Sequence, residues 1–212
     1  MNKYIDISVP INSNLPIWPG SQKPELRENL SIKNGDIANE SSINVNLHTG
    51  THIDAPSHFI DNGLTIDKIP IGKLMGSAFV ASIKNVNTIT EETLEKSSIP
   101  KHVKRLLLQT DNTELWIKNN GIFYEDYVAL SPRAAKWIVN RGIDLIGIDY
   151  LSIQKYTDGP ETHQILLGNN IVILEGLNLN NVSQGWYDLI CLPIRYENIE
   201  ASPARALLIT ST

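Results

Sequence analysis

Short runs of Ile, Val and Leu, bounded by Gly, Pro, Asn or Asp, recur along the chain. They occupy residues 4–9, 43–47, 78–83, 103–108, 145–148, 171–174, 189–194 and 206–209. Apolar runs of this length between turn formers predict strands. Helix signals are fewer. The clearest lies in residues 131–142: Ser131 suits an N-cap, Pro132 the first helical position, and Gly142 the stop. A second helix is predicted from Thr90, because Glu91 and Glu92 favour a first turn. The helix at Ser131 runs directly into the strand at 145–148, so a helix-to-strand unit is expected. The pattern predicts an α/β fold: a single strand-rich domain over residues 1–212.

Composition narrows the function classes. The 212 residues are 42% hydrophobic and 19% charged, the balance of a globular chain able to bury a core. The net charge is −5, and Lys and Arg are scattered without a basic stripe, which argues against a nucleic-acid partner. No apolar run approaches the length of a membrane span. The N-terminal residues alternate polar and apolar and lack the apolar block of a signal peptide, so a cytoplasmic location is expected. The single cysteine, Cys191, sits in an apolar run and reads as a small core residue.

Chemistry concentrates in one place. Three of the five histidines, His48, His52 and His58, fall within residues 48–58, together with Asp54. Gly50 and Pro56 oppose a helix there. In an extended chain alternate side chains share a face. On that register Asn44, Asn46, His48, His52, Asp54 and His58 form a polar face, with Ile53 and Ala55 opposite. Imidazole and carboxylate together suit Zn²⁺, Mn²⁺ or Fe²⁺. A structural zinc site favours cysteine, and none is near. A His/His/Asp set leaves positions open for water and substrate, as catalytic sites do. Hydrogen-bonded structural histidines are the competing account, but it leaves three imidazoles and an acid on one face without a purpose. No Gly-x-Ser-x-Gly elbow, phosphate loop or dinucleotide fingerprint competes.

Residues 48–59, His-Thr-Gly-Thr-His-Ile-Asp-Ala-Pro-Ser-His-Phe, resemble the signature of the cyclase-like amidohydrolases, which include bacterial kynurenine formamidase and isatin hydrolase. The resemblance extends to Trp18-Pro19-Gly20, to Gly147-Ile148-Asp149 with Ser152, to His163 with Glu175, and to Ser202-Pro203-Ala204-Arg205. It implies a swivelling β/β/α fold and a metal-dependent hydrolase that cleaves the C–N bond of a small amide. It implies that His48, His52 and Asp54 bind a first metal, and that Asp54 bridges to a second held by His163 and Glu175. His58 becomes the general acid/base acting with metal-activated water, and Trp18 a wall of the substrate pocket. The metal is expected to be zinc, one ion or two, with manganese as the alternative. The substrate is expected to be a small molecule, an aryl formamide such as N-formylkynurenine or a cyclic amide. A homo-oligomer, dimer or tetramer, is implied as well. Two other readings remain: a metal-binding homologue without turnover, and a hydrolase of a small lactone or ester.

Overall fold

The computed structural model describes residues 3–118 and 121–210. Each of the eight predicted runs meets a strand. In chain order the strands are β1 Lys3–Asp6, β2 Glu25–Leu30, β3 Glu40–Asn44, β4 His52–Asp54, β5 Met75–Ser82, β6 Thr88–Ile89, β7 Arg105–Gln109, β8 Ala129–Leu130, β9 Leu145–Ile148, β10 Val172–Glu175, β11 Gly185–Pro193 and β12 Ala201–Thr210. The α-helices are α1 Ile71–Leu74, α2 Glu91–Lys96, α3 Thr113–Lys118, α4 Pro132–Asn140 and α5 Glu161–Gly168.

Eight strands join in the order β1-β12-β11-β5-β7-β9-β10-β4, and β4 pairs with β12 as well as with β10. That second pairing closes all but β1 into a barrel-like ring. Strands β5, β7, β9 and β10 run parallel, and the closing contacts through β4 and β12 are antiparallel. The parallel strands are covered on both faces, which explains their continuous apolar character. Ala78, Val80, Leu107, Leu174, Leu189 and Leu208 turn to one side, inside the ring. Phe79, Ala81, Leu106, Leu108, Ile146 and Ile173 turn to the other and pack against helices α2, α4 and α5. Cys191 is fully buried among the inward side chains, as expected of a core residue.

Both predicted helices are present, and their caps show why. The Ser131 side chain accepts a hydrogen bond from the Ala134 N–H, Pro132 opens α4, and Gly142 takes a left-handed φ of 63° just beyond it. Thr90 caps α2 by accepting from the Thr93 N–H. Helix α5 carries no comparable signal in the sequence. Helix α5 begins after Pro160 without a side-chain cap, and its apolar residues 165–167 are consecutive rather than helically spaced.

One expectation is corrected. The run at 43–47 is expected to be a strand whose Asn44 and Asn46 continue the polar face of the site. The strand there ends at Asn44, and Ile43 is 53% exposed. It belongs to a separate two-stranded hairpin with β2, whose register places Leu26 opposite Ile43. Among the described residues no second layer covers the hairpin, so alternation there does not report burial.

Strand β4 is held from behind by a close backbone approach. Gly176 follows β10 with φ 70°, and a Cβ at that position would lie 2.0 Å from the Gly50 carbonyl oxygen. Gly176→Ala is therefore expected to cost more than the roughly 1–2 kcal/mol of left-handed backbone alone, because the Gly50 turn must also move. Urea unfolding checks this; an unchanged midpoint contradicts the packing described.

Candidate metal centre

Two strands and a helix bring the site together. On β4, Ile53 and nearby Ala55 enter the core, while His52 and Asp54 face outward. Neighbouring β10 places Glu175 directly opposite His52. Helix α5 contributes His163.

The extended register holds through β4 and breaks at both ends. A turn carries His48: the Thr49 N–H donates to the Asn46 carbonyl, and Gly50 adopts φ 67°. A 3-10 turn at Pro56–His58 carries His58, whose N–H donates to the Ala55 carbonyl. Proline's fixed φ starts that turn. His48 and His58 thus reach the site by curling back, and Asn44 stays on the exposed hairpin away from it.

The donors crowd together. His48 Nδ1 lies 2.9 Å from Asp54 Oδ1. His52 Nε2 lies 3.4 Å from Asp54 Oδ1 and 3.3 Å from Glu175 Oε2. His163 Nε2 lies 3.8 Å from Asp54 Oδ2 and 3.4 Å from Glu175 Oε1. Among the described residues two groups have ligand atoms mutually within 4.8 Å: His52, Asp54 and Glu175, and His48, Asp54 and His58. Asp54 belongs to both.

A divalent cation fits this set. His52 Nε2 and both carboxylate oxygens of Asp54 are buried and have no aligned hydrogen-bond partner among the described residues. Leaving such groups unsatisfied is costly. A bound cation would supply these donors with a partner. The donor types, neutral imidazole and carboxylate, match a divalent transition metal.

Electrostatics respond to the crowding. Burial opposes protonation of His52, yet its contacts with Asp54 and Glu175 raise its pKa to about 10. Burial likewise opposes the charge on Asp54, but His48 and His52 hold its carboxyl well below the usual carboxylate range. At Glu175, burial and the Asp54 charge push upward, and His163 and His52 outweigh them, so the pKa is lowered. His58 differs: burial depresses its imidazole below the ordinary value.

A pH dependence follows. Metal-free protein keeps His52 protonated near neutral pH, and a ligating imidazole must be neutral. Loading the metal is expected to release a proton from His52, so affinity climbs as pH rises toward about 10. Calorimetry in buffers of different ionisation enthalpy measures the proton release. In the metal-free state the raised pKa stabilises the fold fully below about 6.5, and that contribution disappears as pH rises through about 10.

Beside the donors lies a cavity of about 290 Å³, lined by Trp18, His48, His58, Phe59, His163 and Glu175, among others. Trp18 stands edge-on to Phe123 and Tyr156, at 5.3 and 5.2 Å between ring centroids. Phe59 stacks on His163 at 4.6 Å. A groove of about 700 Å³ near Asp6 and Arg205 is larger but holds none of these donors. All the predicted site residues, Trp18, His48, His52, Asp54, His58, His163 and Glu175, therefore meet in one place.

Sequence reasoning missed several neighbours. Glu200 approaches His48 Nε2 at 3.6 Å. Gln154 meets His163, and the Gly50 carbonyl meets His52. The Ile153 N–H donates to Glu175 Oε1 at 2.6 Å. Each lies inside or within two residues of a noticed motif, but nothing in the local sequence marked it as a contact of the site.

The family model described as "Putative cyclase" matches residues 5–155. The chain belongs to the cyclase family. Cyclase-like protein 1 of Arabidopsis thaliana is 37% identical to this cyclase-family chain, over 98% of it and 85% of the relative. Kynurenine formamidase of Bacillus thuringiensis subsp. konkukian is 32% identical, over 98% of this chain and 97% of the relative. A solved structure described as a potential metal-dependent hydrolase with cyclase activity superposes with a TM-score of 0.86 at 28% identity, covering 100% of both chains. The mixed, strand-dominated α/β architecture is thus the cyclase fold, as the resemblance implied.

Proposed function

We propose that this cyclase-family chain is a metal-dependent hydrolase that cleaves the C–N bond of a small amide, an aryl formamide such as N-formylkynurenine or a cyclic amide. One observation carries the reading: His52 Nε2 and both Asp54 oxygens are buried without aligned partners, next to a cavity walled by aromatic rings. The hydrolase class agrees with the described activities of similar proteins.

His48, His52, Asp54, His163 and Glu175 are the residues that would hold the metal. Asp54 belongs to both donor groups and would be central to the set whether one ion or two is held. Zinc is the proposed metal, with manganese as the alternative. When bound, a divalent ion polarises a carbonyl and acidifies water. The protein residues supply the rest. Trp18 and Phe59 wall the cavity and suit the faces of an aryl group. His58 lines the same cavity. Its lowered pKa leaves a neutral imidazole at pH 7, able to take a proton from attacking water and return it to the departing nitrogen.

Metal-loaded protein should be assayed with a formanilide, an isatin-type lactam and a lactone. Metal-dependent hydrolysis of either amide is the expected result. Turnover of the lactone alone moves the assignment to an ester or lactone hydrolase, and no turnover at all favours a metal-binding homologue.

The assembly belongs to the same proposal. An isolated two-stranded hairpin is marginally stable, yet β2 and β3 expose Leu26 and Ile43. A homo-oligomer, dimer or tetramer, provides a cover. Light scattering at micromolar concentration should give at least a dimer mass, and a monomer refutes it. No helix among the described residues is long and apolar enough to cross a membrane. A small-molecule substrate and a cytoplasmic location complete the reading.

A further inference from the structure

A histidine that ligates through one ring nitrogen carries its proton on the other, and the group facing that second nitrogen decides which is which. At His52 the decision is made by the backbone. Nδ1 lies 3.0 Å from the Gly50 carbonyl oxygen, which can only accept. Nδ1 is therefore the protonated nitrogen, and Nε2 turns to Asp54 and Glu175.

The corresponding partner of His163 is a side chain. Gln154 Oε1 lies 3.1 Å from His163 Nδ1 and 3.4 Å from the backbone N–H of His163. A backbone N–H can only donate, so the amide atom facing it is oxygen rather than NH₂. The same oxygen faces Nδ1, which must then donate as well. The lone pair of the neutral ring is left on Nε2, aimed at the carboxylates of Asp54 and Glu175. Phe59 stacks on the His163 ring at an interplanar angle of 18° and fixes its plane. Stacking does not distinguish one ring nitrogen from the other; the Gln154 oxygen does.

Gln154 is itself tightly held. Its N–H donates to Ser152 Oγ at 3.2 Å, and its carbonyl accepts from the buried Tyr127 hydroxyl. Its backbone also bridges to Leu130. The backbone from which the amide projects is thus held at both ends, and the two His163 contacts place its oxygen.

We propose that Gln154 is a positioning residue that sets the tautomer and orientation of His163 for metal ligation. The proposal rests on the reading of His163 as a metal ligand, given above.

The experiment titrates Zn²⁺ into wild-type, Gln154→Glu, Gln154→Leu and His163→Ala proteins against a chelator of known affinity. Melting temperatures are measured in parallel. Gln154→Glu keeps an acceptor oxygen and should bind Zn²⁺ within a few-fold of wild type. Gln154→Leu removes it and should weaken the affected site by roughly 10–100-fold, the usual cost of losing an outer hydrogen-bond partner of a ligating histidine. Nitrogen-15 spectra of histidine-labelled, Zn²⁺-loaded protein should show His163 protonated at Nδ1 in the wild type and in Gln154→Glu, and lose that pattern in Gln154→Leu. Gln154→Ala replaces Gln154→Leu if the latter does not fold. If both Gln154 variants bind Zn²⁺ like wild type while His163→Ala does not, the positioning role is overturned and the ligand assignment stands. If His163→Ala also binds with unchanged stoichiometry and affinity, the ligand assignment itself fails. Melting temperatures that fall equally in both Gln154 variants, with Zn²⁺ affinity unchanged, reduce Gln154 to a structural role.

Discussion

His48→Ala and His52→Ala are expected to lose most of their bound divalent metal and all measurable hydrolysis while remaining folded. Each removes a donor from the cluster around Asp54. Losing a ligand should exceed the roughly 10–100-fold penalty for losing only an outer hydrogen-bond partner. The two variants differ in a way the structure anticipates. The His52 side chain is 1% exposed and touches both Asp54 and Glu175. Removing one member of a buried charged set costs about 3–5 kcal/mol, because the charges left behind are uncompensated. The His48 side chain is 23% exposed, so water can take over part of its role at Asp54. His48→Ala should therefore melt close to the wild type, and His52→Ala clearly lower. Elemental analysis of the purified proteins decides the matter. Full metal content in both variants removes this site from the mechanism.

The parallel strands β5, β7, β9 and β10 were legible because their apolar runs are covered on two sides, and such runs leave little ambiguity. The run meeting β3 was misread for the opposite reason. Its alternation resembles a half-buried strand, but Ile43 faces solvent in the single chain. Within the site, β4 was readable because Ile53 and Ala55 must be buried, which sends His52 and Asp54 the other way. The structure brings His48 and His58 beside Asp54, as the register argument expected, but that argument holds only in part. They arrive through turns at Gly50 and Pro56 rather than along an extended strand. Proximity in sequence sufficed there, since a short segment that folds back keeps its members close. His163 and Glu175 lie on elements far along the chain, and only the family resemblance joined them to the cluster. Periodicity could not. Gln154 and Glu200 act through contacts that exist only once β4, α5 and the start of β12 have assembled, so no local pattern announced them.

His58→Ala is expected to retain its metal and lose about 10²–10⁴-fold in kcat, the range ascribed to a general acid or base. The structure makes this a sharper test than the sequence did. His58 lines the cavity beside His48, with ring centroids 4.1 Å apart, so it is placed to meet a substrate. Yet its ligand atom also falls within the group formed by His48 and Asp54. Geometry alone allows two roles. Proton transfer is favoured by its surroundings: burial lowers its pKa, so a neutral ring is ready to accept a proton at pH 7. Neither carboxylate of the cluster forms a close ion pair with it, in contrast to His48, His52 and His163. A base with a lowered pKa also sets the acidic limb of the rate profile. As pH falls through that pKa the ring is protonated and kcat/KM should fall with it, while His58→Ala should lose this limb. Metal content and the pH–rate profile must be measured on the same preparations. Retained metal with a flattened acidic limb assigns proton transfer to His58. Metal lost in parallel with activity makes His58 a ligand, and turnover near that of the wild type excludes it from both roles.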